Sequence, residues 1–358
     1  MSSGGKHDKH DKDEEKGAIK GLRGDSVSEW LESHIDGLRP PFEFEPIVGG
    51  HSNLTYKVTD ASGRRCVLRR PPTGAVLATA HDMAREHRII SAVGRSDVPV
   101  PLTLGLCEDV EVNDAPFYVM DYVDGTVLND AQTTEALLGE SARRTLSDHT
   151  VEVLAALHAV DPDTIGLGDL AKRENYIERQ LKRWQGQWEK SKTRELPQMD
   201  EVFEGLSAKI PQQVGSGIVH GDYRLGNMLV DEKGRILAVL DWELCTLGDT
   251  LADVGYLLNN WFQPGDESPD SAAAFGPTAV GGFSTREEFV TRYAELAGRE
   301  VSAINYYRAF QYWRLAAIVE GVLARYLKGV MGNEANTDVF RNQVDGMANS
   351  ALELIRSN

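Results

Sequence analysis

Cysteine is scarce in this chain. The three present among 358 residues, Cys66, Cys107 and Cys245, stand far apart and form no CxxC pair. That excludes a disulfide framework and a zinc signature, and it fits a reducing compartment. No apolar run approaches the length of a membrane span, and the N-terminus lacks the apolar core of a secretory signal, so a cytoplasmic protein is expected. Positive charge is also short: 38 Lys and Arg against 55 Asp and Glu leave a net charge of −17. That argues against nucleic acid or an anionic membrane as partner. No internal repeat is visible. What remains is ordinary for a globular protein, with 41% hydrophobic and 26% charged residues, in a chain long enough for two lobes rather than one. Residues 1–22 are too charged and too poor in apolar side chains to order themselves, and read as a disordered tail.

The most informative stretch runs from Ile218 to Leu258. An apolar pair leads into His220-Gly221-Asp222, and Asn227 follows Asp222 by five positions. Met228-Leu229-Val230 is apolar, Asp231-Glu232-Lys233-Gly234 is turn chemistry, and the β-prone run 235–240 ends at Asp241. Two strands joined by a tight turn place Asp222, Asn227 and Asp241 together at one end of a hairpin. Phosphoryl transfer from ATP asks for such a trio. One carboxylate takes the proton of the acceptor hydroxyl, and a second carboxylate with an amide oxygen holds Mg²⁺ against the phosphates. The kinase catalytic loop has the same Asp-to-Asn spacing, with a metal-binding Asp downstream.

HGDYRLGNMLV followed by VLDWELCTLGDTLADVGYLL closely resembles the aminoglycoside phosphotransferase family, and within it the kinase domains fused to acyl-CoA dehydrogenases. The resemblance implies an α+β, two-lobed protein-kinase-like fold. Its small N-lobe, residues 23–122, would carry an antiparallel sheet and one helix. Its larger, mostly helical C-lobe, residues 123–358, would carry the catalytic hairpin. It further implies ATP and Mg²⁺ as cofactors, Asp222 as catalytic base, Asn227 and Asp241 as metal ligands, and a small-molecule hydroxyl as acceptor. Asp249 and Asp253 become braces of the catalytic loop. Thr250 departs from the proline common at its position.

The N-terminal half supplies the matching nucleotide elements. Gly49, Gly50, Ser52 and Asn53 lie in a small-residue turn between strands, where backbone N–H groups can approach phosphates. The turn resembles the family's nucleotide clamp. Arg69 stands where many relatives have the phosphate-binding Lys. It keeps the charge and offers a planar fork, but it is bulkier; direct phosphate contact and lowered activity are both open, and Arg70 is the backup. A helix expected over 78–93 carries Glu86, the implied partner of Arg69. The strand through Met120, Asp121 and Val123 resembles the hinge that holds adenine by backbone groups. From Leu128 onward the periodicity is helical, with His158 on an apolar face and a Gly- and Pro-rich loop at 263–283. The leading reading is a kinase of a small-molecule hydroxyl, aminoglycoside-like or hydroxyacyl-CoA-like. The alternative is a non-catalytic nucleotide-binding module, motivated by Arg69. A protein kinase lacks support, because no APE-type segment follows Asp241.

Overall fold

The computed structural model describes residues 19–47, 53–74, 82–266, 276–329 and 336–357. Residues 1–18 of the tail, Gly49, Gly50 and Ser52, the start of the helix read from Ala78, and the middle of the 263–283 loop lie outside the described residues; residues 19–22, expected to be part of the disordered tail, are ordered instead, because the apolar Ile19 and Leu22 pack against the core of the sheet. Two compact units emerge. One lies within Met1–Arg88 and Leu102–Tyr122, the other within Ile89–Pro101 and Val123–Asn358.

The first unit is built on a five-stranded antiparallel sheet of order β1-β2-β3-β5-β4. Its strands are β1 (Glu43–Pro46), β2 (Leu54–Thr59), β3 (Arg65–Arg70), β4 (Thr103–Cys107) and β5 (Phe117–Asp121). The β2–β3 hairpin turns at Asp60, whose Oδ1 accepts the N–H groups of Ser62 and Arg64 at 2.8 and 2.9 Å. Alternation along β2 sends Tyr56 and Val58 inward. Helix α1 (Gly24–His34) lays Val27, Trp30 and Leu31 over that face, against Tyr56, Val58, Cys66, Leu68, Phe117 and Val119. Trp30 meets Phe117 edge to face, with ring centroids 5.0 Å apart. Burial pushes the Cys66 thiol up to about 12, so this cysteine is inert packing. Helix α2 (Met83–Val93) begins in this unit, and the polar turn after β4 closes as one helical turn, α3 (Val110–Asn113), capped by Asp109.

The second unit is mainly helical. Its helices are α4 (Ala131–Leu137), α5 (Glu140–Ala159), α6 (Tyr176–Ser191), α7 (Pro197–Ala208), α8 (Leu251–Asn259), α9 (Arg286–Ala297), α10 (Ile304–Leu327) and α11 (Thr337–Arg356). Helix α10 is the central beam, packed by α6, α7, α8 and α11. It buries Phe310 and Trp313 completely, and the Trp313 indole donates to the Met199 carbonyl at 3.1 Å. Polar side chains buried on α10 are engaged: Gln311 donates to the Ala252 carbonyl, Arg314 donates to the Gly221 carbonyl, and Glu320 Oε1 accepts the Thr193 N–H and hydroxyl.

Five short strands complete this unit. β6 (Thr126–Val127), β8 (Met228–Val230) and β9 (Ile236–Val239) form one antiparallel sheet, and β7 (Gly217–Val219) pairs with β10 (Thr246–Gly248). The tie between β9 and the Pro99 carbonyl, at 2.8 Å from Val239 N, explains why Ile89–Pro101 packs with this unit although it precedes β4 in sequence. Two helix starts follow from local chemistry. α7 starts at Pro197, which presets the first helical turn. Thr285, not Ser284, caps α9, because Glu288 sits three residues on and closes a reciprocal capping box. Among the described residues no helix is long and apolar enough to cross a membrane.

Candidate active site

The β8–β9 hairpin sets the geometry. Its turn needs Gly234, which has φ +78° and whose absent Cβ would stand 2.0 Å from the Ala142 carbonyl oxygen. Met228 pairs with Val239 at the open end. One step further out, Leu240 N–H donates to the Asn227 carbonyl at 2.8 Å. Asn227 and Asp241 therefore leave the same mouth of the hairpin. Asp241 adopts a left-handed backbone, φ 66° and ψ 66°, a conformation uncommon for a residue with a side chain.

Asp222 joins them across the loop. The Asn227 amide Nδ2 donates to its carbonyl at 2.9 Å and to its Oδ2 at 2.7 Å. Since Nδ2 is spent there, the Asn227 oxygen is the atom left for a cation. The Tyr256 hydroxyl donates to Asp222 Oδ1, and Arg224 Nε reaches the same oxygen at 3.3 Å. Burial, and then the Asp222 charge, push the Tyr256 phenol far up, so it stays a proton-bearing donor.

The loop carrying Asp222 is bolted down from beneath. Asp253, fully buried on α8, accepts the His220 N–H on Oδ2 at 2.6 Å and the Gly221 N–H on Oδ1 at 2.8 Å. Gly221 has φ +87°, and a Cβ there would lie 2.8 Å from the Leu244 carbonyl oxygen, so only glycine fits this turn. The His220 ring is fixed in one tautomer: Nε2–H donates to the Leu240 carbonyl at 3.1 Å, and Nδ1 accepts the Asp222 N–H at 3.2 Å. Its ring packs on the buried Trp242, with centroids 4.7 Å apart. His158 is a bonded core group. Its Nε2 lies 3.4 Å from Asp253 Oδ2 and its Nδ1 2.7 Å from the Tyr293 hydroxyl. Asp249 accepts from Tyr307 and Arg299 and takes the Leu251 N–H at the start of α8. Thr250 Oγ1 accepts from Arg299, a bond that proline could not supply.

In the first unit, Arg69 lies on β3 opposite Thr55 and Tyr118, and its Nε is 3.3 Å from Glu86 Oε2. Both side chains are well shielded, at 14% and 3% exposure, so this is a pair of low solvent screening rather than a surface contact. Arg70 points to the opposite face and binds the carbonyls of Gly21 and Asn113. Asn53 is buried at the entry to β2. Met120 is buried in β5 opposite Val67, and the Asp121 N–H is spent on the Leu102 carbonyl. Val123 opens the main segment of the second unit and is half-buried.

Two site residues carried no sequence signal strong enough to be singled out. Tyr256 contacts Asp222 from 34 positions away; its one clue is that it lies three residues after Asp253, on the same helical face. Arg314 reaches Gly221 from 93 positions away and stacks over the Trp184 ring at 5.4 Å.

Two consequences follow from the brace under the loop. Replacing Asp253 with Ala strands two buried N–H groups, and is expected to cost about 2–5 kcal/mol, read as a lowered urea midpoint. Burial holds the His158 imidazole below its ordinary 6.5, against the opposing pull of Asp253. Below that pH the unfolded chain takes up a proton that the native state refuses, so stability falls as pH drops from about 6.5 toward 5. Thermal midpoints measured across that range should show the loss, and His158→Gln should reduce it, leaving the part that His87 and His149, also held down by burial, contribute.

The chain's similarities extend over most of its length. Residues 43–289 match the model of the phosphotransferase enzyme family APH. Acyl-CoA dehydrogenase family member 10 of Mus musculus is 36% identical over 306 residues, which cover 84% of this chain and 28% of that protein. The chain spans well under half the length of the curated relatives it matches. A crystal structure from Ralstonia eutropha, described as an aminoglycoside phosphotransferase, is 33% identical and covers 94% of this chain and 99% of its own, with a TM-score of 0.81. An aminoglycoside phosphotransferase bound to ADP and hygromycin B shares the fold at 18% identity, with a TM-score of 0.57 and coverage of 93% and 99%. With its family match running from β1 into α9, the chain belongs to the phosphotransferase enzyme family.

Proposed function

We propose that the chain is an ATP- and Mg²⁺-dependent kinase of a small-molecule hydroxyl, with Asp222 as base and Asn227 and Asp241 as metal ligands. The observation that supports this is that Asn227 and Asp241 leave one hairpin mouth, with Asp222 held by Asn227 and Tyr256. The donor set suits magnesium. An amide oxygen and a carboxylate are hard ligands, and Mg²⁺ prefers one or two protein oxygens plus substrate phosphates over a protein cage. Among the described residues no three His, Cys, Asp or Glu cluster to hold a metal by themselves, which agrees with that mode. Bound there, the cation would neutralise charge on the β- and γ-phosphates.

In the transfer itself, Asp222 accepts the proton of the acceptor hydroxyl. The acceptor oxygen bonds to the γ-phosphorus, and the bond from that phosphorus to the bridging oxygen breaks and releases ADP. Tyr256 and Asn227 aim the Asp222 carboxylate, and Asp253 keeps its loop from relaxing. Arg69, oriented by Glu86, supplies positive charge to the triphosphate. With the nucleotide-clamp turn, Gly49, Gly50, Ser52 and Asn53, and the backbone at Asp121 and Val123, it forms the proposed ATP-binding set, with Met120 behind the adenine. The acceptor is a metabolite hydroxyl, hydroxyacyl-CoA-like in view of the relatives or aminoglycoside-like in view of the wider family.

ADP release with Mg²⁺, ATP and a panel of hydroxyl metabolites tests the reading. Asp222→Ala should lower turnover about 10²–10⁴-fold, while Asn227→Ala and Asp241→Ala should raise the Mg²⁺ concentration needed for half-maximal rate. ATP binding with no Asp222-dependent turnover on any acceptor would instead favour a non-catalytic nucleotide module.

A further inference from the structure

The acceptor side of Asp222 is basic and small. A cavity of about 180 Å³ opens beside the loop carrying Asp222, lined among others by Asn129, Arg224, Asn260 and Phe262, with no carboxylate among the described residues that line it. It falls below the size of pockets that enclose drug-sized ligands, so it suits one polar group and not an aminoglycoside. Arg224 belongs to both places at once. Its Nε is anchored 3.3 Å from Asp222 Oδ1, and its guanidinium lies across Gly226, where a Cβ would come within 2.3 Å of Nη1 and 3.3 Å of Asn129 Oδ1. Glycine at 226 is thus the bare floor on which the fork rests. Among the described residues the two Nη atoms take no hydrogen-bond partner, so they face the cavity as a ready bidentate donor pair. Around the end of α8 two further arginines gather: Arg286 donates to the Leu258 carbonyl and pairs with Asp266, and Arg308 donates to Asn259 Oδ1.

We propose that Arg224 is the specificity-determining residue of the acceptor site, and that the acceptor carries an anionic group bound by its Nη atoms. This rests on the kinase reading above. Anchoring through Nε fixes the distance between the bound anion and Asp222, so a hydroxyl a few bonds from that anion is delivered to the base. A polycationic acceptor finds the opposite of what it needs: among the described residues no carboxylate lines the cavity, Asp222 is already engaged by Arg224 and Tyr256, and Asp266 by Arg286.

Three probes matched in skeleton but not in charge test it: 3-hydroxybutyrate, 3-hydroxybutanamide and 4-amino-2-butanol, each assayed by ADP release. For the unmodified protein the expected order of kcat/KM is carboxylate over amide over amine, with about 30-fold between the first two, carried by KM. Arg224→Gln should erase that preference and Arg224→Lys should restore part of it. Gly226→Ala, which displaces the fork but keeps its charge, should raise KM for the carboxylate as well. Thermal midpoints of all three variants check that they fold. Asp222-dependent turnover that prefers the amide or the amine, or a preference that survives Arg224→Gln, overturns the inference and leaves the kinase reading intact. No Asp222-dependent ADP release with any probe counts against the kinase reading, and against the inference with it.

Discussion

A single buried carboxylate holds the candidate site in shape. Asp253 accepts two successive backbone N–H groups, those of His220 and Gly221, and so fixes the stretch of chain that leads into Asp222. An unpaired charge at zero exposure would be costly, but both Asp253 oxygens are satisfied, and His158 adds a third contact. The arrangement stabilises a tight turn that would otherwise strain, since Gly221 sits at positive φ with Leu244 directly against it. Arg314 closes the remaining side by taking the Gly221 carbonyl. The N–H groups of His220 and Gly221 and the Gly221 carbonyl therefore all answer to buried side chains from α8 or α10.

Rigidity beneath and adaptability above follow from the same layout. The hairpin mouth is held by backbone bonds, Leu240 to Asn227, and by the His220 tautomer that links Leu240 to Asp222. On the solvent side, by contrast, Asp222 meets Arg224, whose side chain is 40% exposed. A fold that fixes the proposed phosphoryl-transfer groups and leaves the proposed acceptor contact on a partly exposed side chain can exchange acceptors without disturbing its chemistry.

Much of this was legible in the sequence where the signal is local. The turn at 231–234 and the apolar runs on either side specify the hairpin, and hydrophobic periodicity specifies α5, α6 and α10. Glu86 has no Lys or Arg within helical reach, which directs it off its own helix, and the structure brings it to Arg69. Long-range partnerships were not legible. Tyr256 and Arg314 act on the catalytic loop across 34 and 93 residues, and no spacing rule links them to it. Choices between adjacent residues also needed context: Ser284 and Thr285 are both good caps, and Glu288 decides for Thr285. The placement of Ile89–Pro101 with the helical unit rests on long-range ties, from β9 to the Pro99 carbonyl and from Arg95 to the Ile165 carbonyl, which chain order hides.

The central claim is that the hairpin mouth gathers a metal-bound triphosphate. It is tested most directly by a crystal structure of the protein with Mg²⁺ and a non-hydrolysable ATP analogue. The account predicts a cation about 2.1 Å from the Asn227 amide oxygen and from an Asp241 carboxylate oxygen, with the γ-phosphate facing Asp222. A cation and triphosphate held by other residues, away from Asn227 and Asp241, would contradict it.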